Sequence, residues 1–215
     1  MKITVRQGDL QKTRADAIVV NLFQGARPGG ATAAVDKALK GALQRVLDSG
    51  DFDGSRNRTT VLYPDKSFPA QRVLLVGLGP QESFDLETAR QAAGTAARRL
   101  QALGVSSAAT VLHGAGAGGL EVEAAAQALC EGSILACYRF DEYKSKTPTT
   151  ELKQLTVVEF DSKRLAAVRR GVRAGTKIAD AVCFARDLGN HPGNTATPTY
   201  LATKARSVAR RLGLR

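Results

Sequence analysis

Gly114-Ala115-Gly116-Ala117-Gly118-Gly119 satisfies the spacing G-x-G-x-x-G. Between a strand and a helix, such glycines let backbone amides approach a pyrophosphate at the helix amino terminus. A dinucleotide site also needs an acid about 20 positions later, at the end of the next strand. Here that position falls near Ser133 to Ala136, inside a predicted helix, so the motif is incomplete and a plain strand-to-helix turn competes with it. Gly77-Leu78-Gly79 lacks the third glycine and reads as a tight turn.

His113 and His191 are the only histidines, and neither is spaced against another histidine, a cysteine or a carboxylate as a metal ligand would be. No G-x-S-x-G, H-E-x-x-H or C-x-x-C occurs. Cys130 and Cys137 sit seven apart on a predicted helix, about 10 Å at its 1.5 Å rise, whereas a disulfide needs α-carbons within about 7 Å. With Cys183 remote and the count odd, the cysteines read as reduced thiols.

Arg169, Arg173 and Lys177 recur every four residues and share one helical face. Such a stripe is a solvated face, a partner for acids on a neighbouring domain, or a set of phosphate contacts that would bind DNA in a salt-dependent, sequence-independent way. The net charge of +11 is concentrated there: from 151 onward 13 Lys/Arg face five acids, which leaves +3 for the first 150 residues.

Positioning these groups requires a core, and the composition supplies one. Of the 215 residues, 43% are hydrophobic, too many for a disordered chain, while aromatics are 5% and tryptophan is absent. Alanine and glycine favour close helix-on-sheet packing over an aromatic ligand-stacking surface. No run approaches the roughly 20 apolar residues that span a bilayer, and Ile3 and Val5 open a strand at once, without a leader pattern. A cytoplasmic protein with no membrane partner is expected.

Strand patterns occur at residues 2–6, Ala17 to Leu22, Thr59 to Tyr63, Val73 to Val76, Ala108 to His113 and Leu155 to Phe160. Between them, helical spacing predicts one helix through Val35, Leu39, Leu43, Val46 and Leu47. Another runs from a cap at Ser83 or Asp85 through Leu103, and a third from about Leu120 to Phe140. Asp51 to Arg58 reads as an exposed loop, and Lys144 to Thr150, with Pro148, as a polar turn. Strands alternating with helices predict an α/β fold: a three-layer helix-sheet-helix domain with a mostly parallel sheet over residues 1–160. Residues 161–215 differ: a long helix from Asp161 or Ser162 to about Leu188, a break at Gly189-Asn190-His191-Pro192-Gly193, and a final helix started by Thr197-Pro198 and ended by Gly213. Two helices with apolar stripes and no strand after them predict a linker to a domain beyond this segment.

Ala185-Arg186-Asp187-Leu188-Gly189-Asn190-His191-Pro192-Gly193-Asn194, followed by Thr197-Pro198-Thr199-Tyr200-Leu201-Ala202, resembles the interdomain segment of leucyl (cytosol) aminopeptidases. That family joins R-D-L-x-N-x-P-x-N to T-P-x-x-L-A. The preceding strand-helix order resembles the family's amino-terminal domain, so the likeness covers essentially the whole chain. Gly8-Asp9-Leu10 with Asp16-Ala17-Ile18-Val19-Val20-Asn21, then Gly29-Gly30, is similar to the opening of macro domains, which bind ADP-ribose. Ligand-binding macro domains continue with a second asparagine, where this chain has Leu22-Phe23-Gln24.

The resemblance implies a macro-like, non-catalytic amino-terminal domain of a hexameric enzyme that removes amino-terminal residues from peptides. It further implies two bridged divalent ions, manganese or zinc, to activate water and stabilise the oxyanion. The family's ligands lie in stretches like N-T-D-A-E-G-R, which this chain lacks. By motif matching no residue here is catalytic, cofactor-binding or metal-ligating, and this segment is expected to be inactive by itself. Some bacterial members bind DNA, which would suit the basic tail. A free-standing ADP-ribose-binding module or a DNA-binding accessory domain are the alternatives.

Overall fold

The computed structural model describes residues 1–145 and 150–214. Six strands form one sheet: β1 (Lys2–Gln7), β2 (Ala17–Phe23), β3 (Thr59–Leu62), β4 (Val73–Gly79), β5 (Ser107–Thr110) and β6 (Gln154–Glu159). Their order is β1-β6-β5-β2-β4-β3. Among the described residues every strand pairing is parallel except β3 against β4, so the antiparallel strand lies at an edge.

Because both faces of the central strands are covered, those strands read as continuous apolar runs rather than alternating ones. Successive side chains still point to opposite faces, and this splits the core in two. Ala17, Val19, Phe23, Leu74, Val76 and Leu78 pack with α3 (Leu86–Ala102), α4 (Val122–Ala136) and the start of α5 (Leu165–Asn190). Ile18, Val20, Leu22, Val73 and Leu75 pack on the other face with Val35 of α1 (Gly30–Ala38), Leu43 of α2 (Ala42–Asp48) and Phe52. The mostly parallel three-layer sandwich is therefore present as expected.

The single helix expected from Val35 to Leu47 is two. Lys40 (φ 54°) and Gly41 (φ 78°) adopt left-handed backbone between them. The Asp36 carboxylate accepts from the amides of Leu43 and Gln44, which starts α2 without a side-chain cap of its own. The third predicted helix is also shorter than expected: α4 stops at Ala136, because the residues after Cys137 turn away to meet the end of α5. Of the two candidate caps for α3, Asp85 serves, accepting from the Thr88 amide at 2.7 Å. The turn expected over Lys144 to Thr150 falls partly outside the described residues, Pro148 included.

The abundance of small residues has a packing reason. Ala89, Ala92, Ala93, Ala96 and Ala97 are all buried on α3. On α5, a Cβ at Gly171 would collide with the Glu123 carbonyl oxygen of α4, so only glycine permits that approach. Leu165, Val168, Gly171, Val172, Gly175 and Ala179 form the buried stripe of α5. Toward its end the helix exposes Ile178 and Phe184. α6 (Pro198–Leu212) is capped by Thr197 and closed by Gly213 (φ 67°), and it buries none of its residues. No helix is long and apolar enough to cross a membrane among the described residues.

Candidate functional site

In parallel α/β sheets ligands bind beyond the carboxyl ends of the strands, and that end of this sheet carries the glycine loop and His113. β5 ends at Thr110 and delivers His113 to the interior, where it is 2% exposed. Asn21 of β2 donates from Nδ2 to His113 Nδ1 at 2.9 Å. An amide nitrogen cannot accept, so Nδ1 is the unprotonated nitrogen and the neutral ring carries its proton on Nε2. Burial pushes the His113 pKa down to about 4. Thr32, at the start of α1, donates to the Asn21 carbonyl at 2.7 Å. His113 is thus a structural strut between β2 and the segment after β5, with no carboxylate at hydrogen-bond distance among the described residues to make it a base.

The loop from Gly114 to Gly119 closes on the protein itself. A Cβ at Gly114 (φ 78°) would run into the Phe84 ring, and one at Gly118 would meet both Gly114 and Phe84. Phe84 in turn meets Phe23 edge-on, with centroids 5.0 Å apart. Two long side chains pin the loop backbone: Arg164 Nη2 donates to the Ala115 carbonyl at 2.6 Å, and Gln81 Nε2 to the Ala117 carbonyl at 2.7 Å. Arg164 is held by Glu159, 3.8 Å away and 8% exposed. The amino terminus of α4, where a pyrophosphate would rest, already carries Glu121, whose carboxylate caps the Ala124 amide, and Glu123 in the first turn. Two acids there disfavour a further anion. Gly114 and Gly118 therefore serve close packing, whereas a Cβ at Gly116 or Gly119 would meet nothing within 4 Å.

The cation stripe lies where the spacing put it. Arg169, Arg173 and Lys177 are exposed on α5, whereas the adjacent Arg170 pairs with Glu123 at 2.7 Å. Basic residues of α6, Arg206, Arg210 and Arg211, line an open trough with Thr203 and Ser207. The cysteines are free: Cys130 is buried, and burial pushes its thiol up to about 12, while burial also raises those of Cys137 and Cys183. None is the low-pKa thiolate that nucleophilic chemistry requires.

His191 has neighbours that its sequence position conceals. Its ring is flanked by the hydroxyls of Tyr143, 2.7 Å from Nδ1, and Tyr200, 2.9 Å from Nε2, with the Glu142 carboxylate 3.6 Å from Nε2. Sequence spacing also left Arg164 unnoticed, since nothing local ties it to Ala115, 49 residues away.

Among the described residues no three His, Cys, Asp or Glu side chains are grouped to hold a metal ion. Several acids are engaged elsewhere: Asp36, Asp85 and Glu121 hold helix termini, and Glu131 pairs with Arg90 at 2.8 Å. This donor set does not fit a pair of divalent ions, and no catalytic step is assigned to it.

Residues 19–147 match the family model described as the cytosol aminopeptidase family, N-terminal domain. A probable cytosol aminopeptidase of Geotalea uraniireducens is 41% identical over 182 residues, covering 84% of this chain and 36% of that protein. Another from Acidithiobacillus ferrooxidans is 36% identical over 220 residues, covering 100% of this chain and 44% of its own length. Among solved structures, the bottromycin maturation enzyme BotP superposes with a TM-score of 0.71 at 30% identity, over 94% of this chain and 38% of that one. A mutant tomato leucine aminopeptidase superposes with a TM-score of 0.76 at 20% identity, over 98% of this chain and 42% of that one, which is a likeness of fold. The chain therefore spans less than half the length of each of these relatives.

Proposed function

This chain belongs to the cytosol aminopeptidase family, whose amino-terminal domain it carries, and on that premise we propose that it is the non-catalytic part of a two-metal leucyl aminopeptidase. The observation that carries the reading is the match of residues 19–147 to the amino-terminal domain model, in a segment without a grouped set of metal donors among its described residues. The longer protein would hydrolyse amino-terminal residues from peptides in the cytoplasm. Manganese or zinc ions held outside this segment would activate the water, and six copies would assemble. Within the segment, residues 1–160 form the macro-like domain, and 161–215 the linker and the start of the catalytic part.

A DNA-binding role for the same segment has one supporting observation: Arg169, Arg173 and Lys177 project from one exposed face of α5 without acid partners at salt-bridge distance among the described residues.

The test compares this chain with one extended through the coding sequence downstream of Arg215, both assayed for release of leucine from leucyl peptides with manganese or zinc. The longer chain should be active and the 215-residue chain silent. Turnover by the short chain would overturn the assignment, as would a downstream sequence with no carboxylate-rich metal-binding stretch.

A further inference from the structure

α6 is a helix that its own packing does not explain. It buries no residue, and an isolated helix of up to about 15 residues is marginal in water. The segment leading to it, from Pro192 to Thr197, contains only turns, such as the Thr195 amide donating to the Pro192 carbonyl at 2.8 Å. Turns alone would let α6 swivel.

What restrains it is a cluster built on His191. The His191 side chain is 4% exposed, and both of its ring nitrogens are within hydrogen-bond distance of a tyrosine hydroxyl, Tyr143 on one side and Tyr200 on the other. Tyr143 belongs to the segment that follows α4, and Tyr200 to the first turn of α6, so one imidazole joins three parts of the chain. A ring nitrogen donates or accepts according to the tautomer, and a tyrosine hydroxyl can do either, so both nitrogens are satisfied. Edge-to-face contacts surround the ring, with centroid distances of 5.1 Å to Phe140, 5.9 Å to Tyr143 and 5.2 Å to Tyr200. The last turn of α5 grips the same segment independently. Tyr138 donates its hydroxyl hydrogen to Asp187 at 2.7 Å and accepts from Asn190 Nδ2 at 3.0 Å, and Arg186 lies 5.5 Å over the Tyr138 ring.

We propose that His191 is a positioning residue: clasped between Tyr143 and Tyr200, it fixes the angle at which α6 leaves α5. Whatever polypeptide the longer relatives carry after this segment then starts from a set direction. That consequence for a catalytic domain rests on the proposed function; the fixing of α6 does not.

The experiment is hydrogen exchange on the 215-residue chain, with α4 amides as the internal reference for global stability. His191→Ala should speed exchange along α6 by about tenfold or more, the equivalent of one or two lost hydrogen bonds, with α4 unchanged. Tyr143→Phe and Tyr200→Phe keep the rings and should each give part of that effect. His191→Gln, which retains a donor and an acceptor, should restore part of the protection. With only two histidines in the chain, the His191 ring N–H should also give a hydrogen-bonded proton resonance that the Tyr143→Phe/Tyr200→Phe double variant abolishes. α6 exchange that is unprotected in the parent, or indifferent to all these substitutions, would overturn the clasp. An inactive longer chain would defeat the functional reading and leave this readout untouched.

Discussion

Asn21 Nδ2 and His113 Nδ1 meet at 2.9 Å, tying the middle of the sheet to the segment that follows β5. The contact consumes the polar capacity of Asn21 toward that side and locks the tautomer of a buried imidazole, turning two residues with chemical potential into scaffold.

The pH dependence of stability should carry its mark. The folded pKa of His113 is about 4, against 6.5 for an unperturbed ring. Between those values the unfolded chain binds a proton that the folded chain refuses. The contribution is complete above the unfolded value and is lost as pH falls through the folded one, amounting to roughly 3 kcal/mol. Denaturant unfolding of parent and His113→Gln at pH 7, 5.5 and 4.5 should show the parent losing stability faster. Parallel loss in the two proteins would remove His113 from the account.

The glycine loop should be sensitive at some positions and tolerant at others. Gly114→Ala puts a methyl into the Phe84 ring at positive φ, which should cost about 2–4 kcal/mol. Gly116, where a Cβ would meet nothing within 4 Å, should accept alanine within about 0.5 kcal/mol. Thermal or urea unfolding of the two variants decides it. A phosphate cradle would show the reverse priority: calorimetric titration with ADP-ribose at millimolar concentration would give heat that Gly116 substitutions abolish, whereas the packed loop predicts none.

The α5 cations separate stability from binding. Charge reversal at Arg169, Arg173 and Lys177 should change unfolding stability by no more than about 0.5 kcal/mol per site, because all three are exposed. If that face meets DNA, the same triple variant weakens gel retardation and flattens its salt dependence. Retardation equal in parent and variant would assign the stripe to solvent.

Much of the fold was legible because its signals are local. The apolar runs of β2 and β4 announce strands covered on both faces, and Thr197-Pro198 and Gly213 mark the ends of α6 through backbone preferences that act within a few residues. The break at Lys40-Gly41 was not legible, since it depends on the Asp36 side chain reaching two amides seven and eight residues away.

By itself the sequence determined the alternating α/β order, the three layers, the concentration of positive charge after residue 151 and the family likeness, all of which depend on residue type and short-range spacing. Only the tertiary structure decided what the candidate groups do. It filled the glycine loop with Phe84, gave His113 to Asn21, brought Arg164 to Ala115, and set His191 between Tyr143 and Tyr200. Those partners lie between 9 and 92 positions apart in the chain. Side-chain contacts over such separations are created by the packing of whole elements, and no periodicity or motif along the chain encodes them.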